Sequence, residues 1–430
     1  MKNKQTKINY ADLWGLREEK YKFLEEHDVK NTKWQGLQPI EPYYFFVPKN
    51  FASEKEYKHF IPLYKIFREF TAGVVSGKDD VLTDESVLNL KNRILSIIES
   101  DHSNDTIKLS YQLNNSAGDK ILSRREKVAF NEENLQKYHY RPLDYRYIYY
   151  EREFLERDRY HLGFNLLKEN LVISVSRLTA NKNFSNIIAS DCLPDYKLAE
   201  SSRGSYFFPL YLYNEEEKQQ TVFAGQEKLD LEGVQHTLRY KSDKKPNIDS
   251  KIFDILKNVF GKNTKPEDVF FYIYSILYSN IFRHKYQEFL KIDFPKIPFT
   301  ANYDLFKQLA ELGEQLVNLH LLKTSQLSNP ISKFHGGNGN RVEKREYEEK
   351  EKRVYINNQQ YFENIDPEVW NYFIGGYQVL DKWLKDRKGR MLSSEDIKHY
   401  CKVVTVLSKT IETQKRIDKL YPEAEKNLIK

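Results

Sequence analysis

Three short stretches of this 430-residue chain set arginine or lysine beside hydroxyl or aromatic side chains. Such groupings can grip an anion or the edge of a base. The first is Arg141-Pro142-Leu143-Asp144-Tyr145-Arg146-Tyr147. If it is extended, positions 141, 145 and 147 share one face and Arg146 points to the other. A free guanidinium forks onto guanine O6 and N7 or onto a phosphate, whereas one paired with Asp144 is a structural element. The second is Ser174-Val175-Ser176-Arg177-Leu178-Thr179, strand-like and followed closely by Lys182. The third, Ser201-Ser202-Arg203-Gly204-Ser205, is a polar loop leading into an aromatic strand-like run. Loops held on a β scaffold are suited to base-edge or phosphate contact, and the same compositions also make ordinary turns. Arg141, Arg146, Arg177, Lys182 and Arg203 are therefore the candidate nucleic-acid contacts.

Residues for bond-making chemistry are not grouped in the same way. There is no GxGxxG after a strand and no GxxxxGK[ST]. Gly336-Gly337-Asn338-Gly339 lacks the lysine and helix start of a phosphate cradle and reads as a hairpin-linking loop. HExxH, HxH and paired CxxC are absent, and His139, His161, His284 and His320 stand singly among aromatic or aliphatic neighbours. No GxSxG elbow occurs. Adenine methylation needs a glycine-rich cofactor loop and an NPPY-type tetrapeptide that holds the flipped base, and this sequence contains neither. Pro194-Asp195 is followed within two residues by Lys197, without the strand that a PD…(D/E)xK nuclease places between them. The expectation is a chain with no catalytic and no metal-ligating residues.

Composition bounds the remaining classes. Apolar residues make up 40% of the chain and aromatic residues 14%, enough for two or three domains with their own cores. The 31 tyrosines against 2 methionines reflect an AT-rich coding bias. A net charge of +6 is compatible with a polyanionic partner, although 30% charged residues of both signs also describe a solvated surface. No apolar run is long enough for a membrane span, and the basic N-terminus lacks the apolar stretch of a signal peptide. Cys192 and Cys401 are single and far apart, which suits a reducing cytoplasm. A soluble, cytoplasmic protein is expected.

The elements that must position these residues read as α+β, with a strand-rich central region followed by a mainly helical C-terminal region. Residues 1–30 have the spacing of an amphipathic helix, Tyr43 to Val47 reads as a short buried strand, and Lys55 to Phe70 and Glu85 to Ser100 read as helices. The runs YRYIYYE, NLVISVSR and YFFPLYLY between Val128 and Tyr213 are β-branched or aromatic and bounded by polar turns. Glu215 to Asp249 is polar and expected to include mobile loops. Beyond it Pro266-Glu267-Asp268 starts a helix that is apolar nearly all round, and leucines 305, 309, 312, 316 and 319 mark another. Arg341 to Phe362 reads as a charged hairpin turning near Asn357-Asn358. Asp366-Pro367-Glu368 opens a helix expected to contain Trp370, Phe373 and Trp383, with Gly375-Gly376 allowing close backbone approach. Ser393-x-x-Asp396 resembles a capping box. Three regions are expected: 1–125, 126–249 and 250–430.

Several long segments carry a family resemblance. HYRPLDYRYIYYE, FFPLYLY, PEDVFFYIYSILYSNIFRHKYQEFLKIDFPKIPF, LGEQLVNLHLL and VWNYFIGGYQVLDKWLKDRKGRMLSSEDIKHY resemble, in order and spacing, the C-terminal target-recognition (specificity) region of type ISP restriction–modification enzymes. These single-chain enzymes join a nuclease, an ATP-driven translocase, an adenine methyltransferase and a recognition domain. INYADLWGLREEKYKFL and FTAGVVSGKDD resemble the segment linking methyltransferase to recognition domain, with Lys78 where the family's loop usually has arginine. The resemblance implies sequence-specific recognition of double-stranded DNA, non-catalytic alone and exercised with a methyltransferase/translocase/nuclease polypeptide. It implies no cofactor in this chain, with S-adenosylmethionine, ATP and Mg on other domains. It assigns no individual base contacts, because reading residues differ between members with different targets. The alternative is half of a split adenine-specific DNA methyltransferase/restriction enzyme active only with a partner subunit. A third reading is a protein-interaction element of a defence complex that binds no DNA.

Overall fold

A computed structural model describes residues 6–41, 43–179, 183–214, 244–337 and 339–429. The chain divides into two compact units, Met1–Lys58 and His59–Lys430. In the first, strands Ile8–Tyr10 and Gln35–Leu37 pair antiparallel and a helix runs over Arg17–Glu26. The expected 30-residue helix is thus reduced to ten residues, preceded by Gly15 at φ +117°, and none of its side chains is buried. Tyr43 to Val47 forms no strand and is largely exposed. Proline at 42 and at 48 removes backbone donors on both sides of that run.

The second unit is α+β. Its strand-rich part contains two four-stranded sheets. In one, Leu193–Pro194 runs parallel to Leu135–Arg141, which pairs antiparallel with Asp144–Tyr149, and Thr83–Asp84 closes the far edge. In the other, Thr71–Ala72, Tyr206–Pro209, Val172–Val175 and Ile187–Ser190 lie side by side, all antiparallel. The expected central strands are therefore present. Lys55 to Phe70 is not one helix: it breaks into Glu54–Tyr57, a two-residue strand at Ile61–Pro62 and Leu63–Ile66. Pro62 lacks the N–H that a continuous helix would use there. Glu85 to Ser100 contains the expected helix as Val87–Ile98, capped by Ser86. Residues 215–243, which hold most of the expected polar loops, lie outside the described residues.

The helical part is built on three long helices. Pro266–Tyr278 has proline in its first turn with Glu267 and Asp268, charges that favour a helix N-terminus. From Val269 to Tyr278 nearly every side chain is buried, as its all-round apolar character requires. It packs against Tyr303–His320, whose cap Asn302 accepts from the Asp304 and Leu305 N–H groups. Both meet Ser394–Lys426, where the Ser393/Asp396 capping box forms as expected. Gly313 sits where the first two helices touch: a Cβ there would lie 1.9 Å from the Phe271 carbonyl oxygen. Backbone cannot yield as a side-chain tip can. Gly313→Ala is therefore expected to cost about 1–3 kcal/mol by forcing the helices apart. Urea denaturation checks this, and an unchanged midpoint contradicts it.

Two C-terminal expectations are revised. Arg341 to Phe362 is more than a hairpin: Glu346–Glu348, Arg353–Tyr355 and Tyr361–Phe362 form a sheet completed by Phe334–His335. The expected helix from Asp366 stops at Trp370; a hairpin of Phe373–Ile374 and Tyr377–Gln378 follows, and a separate helix spans Val379–Asp386. Gly375, at φ +56°, makes the hairpin turn and approaches the Ala199 carbonyl so closely that a Cβ would lie 1.8 Å from it. The close approach was legible in the two glycines, and the element around them was not.

A buried hydrogen-bond chain ties strand Ile187–Ser190 to all three long helices. The Thr410 hydroxyl donates to the Val406 carbonyl at 2.8 Å, so its oxygen accepts from His320 Nε2–H at 3.0 Å. His320 Nδ1 then accepts from the Tyr274 hydroxyl at 2.6 Å, whose oxygen accepts the Ala189 N–H at 2.9 Å. With the Thr410 proton on the Val406 carbonyl, this chain matches the neutral Nε2–H tautomer of His320.

Candidate nucleic-acid interface

Register in the second sheet gathers the candidate loops. Val175 lies opposite both Tyr206 and Ile187, and Tyr206 lies opposite Ala72. The exit of strand Val172–Val175, the entries to Tyr206–Pro209 and Ile187–Ser190, and the exit of Thr71–Ala72 therefore share one end of the sheet. Arg177 and Arg203 emerge there together, 26 residues apart in sequence.

The backbone of this end is closely fitted. Gly73 N–H donates to Ser205 O at 2.9 Å, and a Cβ on Gly73 would meet the Asp195 carbonyl at 2.6 Å. Gly204 adopts φ +79° with the Tyr196 ring packed where its Cβ would stand, so the turn before Tyr206–Pro209 demands glycine. The Ser205 hydroxyl accepts the Ala199 N–H at 2.8 Å. The Tyr196 hydroxyl donates to the Arg203 carbonyl at 3.2 Å, while the Arg203 side chain, exposed, has no hydrogen bond or ion pair among the described residues. Arg177 Nε lies 2.9 Å from Asp293, with side chains 58% and 47% exposed. An ion pair so open to water contributes about 0–1 kcal/mol, and a phosphate or base edge can displace it.

Beneath these loops lies a carboxylate that the sequence did not single out. Glu200 is buried, its Oε1 accepting from the Ser202 N–H and hydroxyl, both at 3.1 Å. Its Oε2 accepts from the Asn186 amide and is 3.3 Å from the Thr179 hydroxyl. Only the position of Glu200 directly before the serine pair could have drawn attention to it.

The other expected contacts are placed differently. Arg141 is buried, 2.8 Å from Asp195, which is also buried. Burial alone would weaken the Arg141 cation, and Asp195 more than restores it. Arg146 has little exposure and lies 3.6 Å from Asp144, 3.8 Å from Glu85 and 3.9 Å from Asp386. Both guanidinium groups stand 3.7 Å from the centre of the Tyr140 ring. The register shift between His139 and Arg141 breaks the simple alternation expected for an extended run. Asp144 in turn pairs with the buried Arg387 at 2.9 Å. Arg141 and Arg146 thus brace the interior, while Arg177 and Arg203 are open to a partner. Lys182 lies outside the described residues.

Among the described residues no three His, Cys, Asp or Glu side chains are grouped to hold a metal ion, and no helix is long and apolar enough to cross a membrane.

Three solved structures share the fold: a nuclease-deletion mutant of the Type ISP restriction–modification enzyme LlaGI in complex with a DNA substrate mimic (TM-score 0.69, 19% identity), a DrdV–DNA complex (0.70, 19%) and the ATP-dependent Type ISP enzyme LlaBIII bound to DNA (0.66, 21%). They cover 96%, 97% and 89% of this chain, which spans 39%, 43% and 25% of theirs. A comparison with curated protein sequences gives no match. The profile of the Type ISP C-terminal specificity domain matches residues 65–417, taking in both central sheets, the packed helix pair and most of the terminal helix, and the chain belongs to that family.

Proposed function

We propose that this chain reads a DNA sequence for a type ISP-like restriction–modification system and carries none of that system's bond-breaking chemistry. The observation that supports the reading most is the shared sheet end, where Arg177 and Arg203 stand exposed on loops that backbone and side-chain hydrogen bonds hold in place. Precise placement of guanidinium groups is what base readout requires, and phosphate contact by the same groups supplies affinity. The buried Arg141 and the partly buried Arg146 support the scaffold that holds the loops. The protein acts in the cytoplasm on double-stranded DNA. S-adenosylmethionine, ATP and Mg are handled by other domains.

The partner is a methyltransferase/translocase/nuclease polypeptide. The first unit favours it, since Trp14, Leu16, Leu24, Val29 and Phe46 are each exposed there. Exposed large apolar side chains at that number of positions suit contact with another protein surface. In the runner-up reading the chain completes a split adenine methyltransferase, and methyl transfer appears only when that partner is added.

On a duplex enriched from a random pool, Arg177→Ala and Arg203→Ala are each expected to weaken binding by about 1–3 kcal/mol if the side chain reads a base, with little change on a scrambled duplex. Equal losses on both duplexes reassign that arginine to phosphate. Unchanged affinity on both removes it from the interface.

A further inference from the structure

We infer that Glu200 is the positioning residue of this interface, locking the Arg177 loop and the Arg203 loop into one surface; the inference rests on the DNA-reading function proposed above. Glu200 is 1% exposed and lies within ion-pair distance of no lysine, arginine or histidine among the described residues. A carboxylate so buried is costly unless donors converge on it, and here they do. Its two oxygens divide between two loops. Oε1 faces the Ser201–Ser202 side, taking the Ser202 N–H and hydroxyl, with the Ser201 hydroxyl at 3.5 Å. Oε2 faces the loop that follows Arg177, taking the Asn186 amide beside the Thr179 hydroxyl.

The orientation of Asn186 is fixed independently. Its Oδ1 accepts the Ser185 N–H at 3.2 Å and is 3.0 Å from the Thr179 hydroxyl, so its NH₂ must point at Glu200. The Asn186 NH₂ and the Ser202 N–H can only donate, and only a carboxylate can accept at both ends. Glutamine at 200 would set an NH₂ group against either Asn186 or the Ser202 amide. The hairpin carrying Gly375 closes the junction from behind: its N–H donates to Ser185 O at 3.0 Å while its backbone presses on Ala199. Tyr377 adds a bond from its hydroxyl to Lys197 O at 2.8 Å. The loops that carry Arg177 and Arg203 thus meet at one carboxylate.

The test uses the full chain in two measurements. In hydrogen exchange without DNA, Glu200→Gln is expected to speed exchange about tenfold or more at both 183–186 and 201–205, with helix Tyr303–His320 unchanged. In binding, Glu200→Gln is expected to lose about tenfold affinity for the enriched duplex and none for a scrambled one. Adding Arg203→Ala to it should cost less than Arg203→Ala alone costs the parent, because the two act as one unit. Thr179→Val, which removes one hydroxyl at the junction and keeps the side-chain shape, should move both readouts the same way by less, and guards against a Glu200→Gln chain that does not fold. Faster exchange confined to 201–205 overturns the inference. So does unchanged binding by Glu200→Gln while Arg177→Ala and Arg203→Ala lose affinity, a result that leaves DNA reading intact. If no duplex is enriched and all variants bind alike, the inference and the DNA-reading function fail together.

Discussion

Arg387→Leu is expected to cost about 3–5 kcal/mol of folding stability, because it strands a buried carboxylate. Arg387 is 3% exposed, stacks 3.7 Å from the Trp383 ring and lies 2.9 Å from Asp144, itself buried at the start of strand Asp144–Tyr149. Burial alone would raise the Asp144 carboxyl, yet Arg387 and then Arg146 hold it down to about 2. Glu85 at 3.8 Å and Asp396 at 3.6 Å also face Arg387, so its loss leaves three acids around Arg146 and Arg390. The cost lies in the stranded charge more than in the missing bond. Asp144→Asn added to Arg387→Leu should therefore recover a substantial part of the stability in urea denaturation. A double variant no more stable than the single one would place the cost in packing against Trp383 instead.

Acid is expected to unfold this protein earlier than its carboxylates alone require. His139 and His320 are fully buried, and burial pushes each down to about 3 from an ordinary 6.5. His320 is hydrogen-bonded at both ring nitrogens, and His139 stacks on Tyr145 with neither ring nitrogen hydrogen-bonded among the described residues. In the folded chain both stay neutral at any pH above about 3, while the unfolded chain takes up both protons below about 6.5. Stability is therefore flat above that range and falls as pH drops through it, by about 4 kcal/mol for the pair between pH 7 and pH 5. His399, lowered by burial as well, adds in the same direction. Asp144, held near 2, does not titrate in this window. His139→Phe should remove about half of the two-histidine slope and keep the stack on Tyr145. Equal slopes for parent and variant would show that His139 is not buried as a neutral ring.

The sequence revealed the fold in proportion to how local each signal was. Pro266, the Ser393/Asp396 cap and the leucines of 305–319 act within one or two turns, and those helices stand where expected. Aromatic strand runs likewise survived as strands. Failures came where a partner distant in sequence decided the outcome. Trp370, Phe373 and Trp383 have helical spacing, yet the chain between them turns back as a hairpin against Ala199. Arg141 and Asp195 are 54 residues apart, and no pattern around Arg141 announces that pairing. The same holds for Arg146 and Asp386, and for Glu200 and Asn186. Of the exposed pair, Arg177 and Arg203, sequence supplied the residue types, and only strand register brings them to one end of a sheet.

The most direct measurement is selection of duplexes from a random pool by the purified chain, alone and with a candidate methyltransferase partner. DNA reading by this chain predicts that one sequence motif is enriched in at least one arm, and that the chain carrying both Arg177→Ala and Arg203→Ala enriches it poorly or not at all. An unenriched pool in both arms would contradict it, as would the same motif recovered at full strength by the doubly substituted chain.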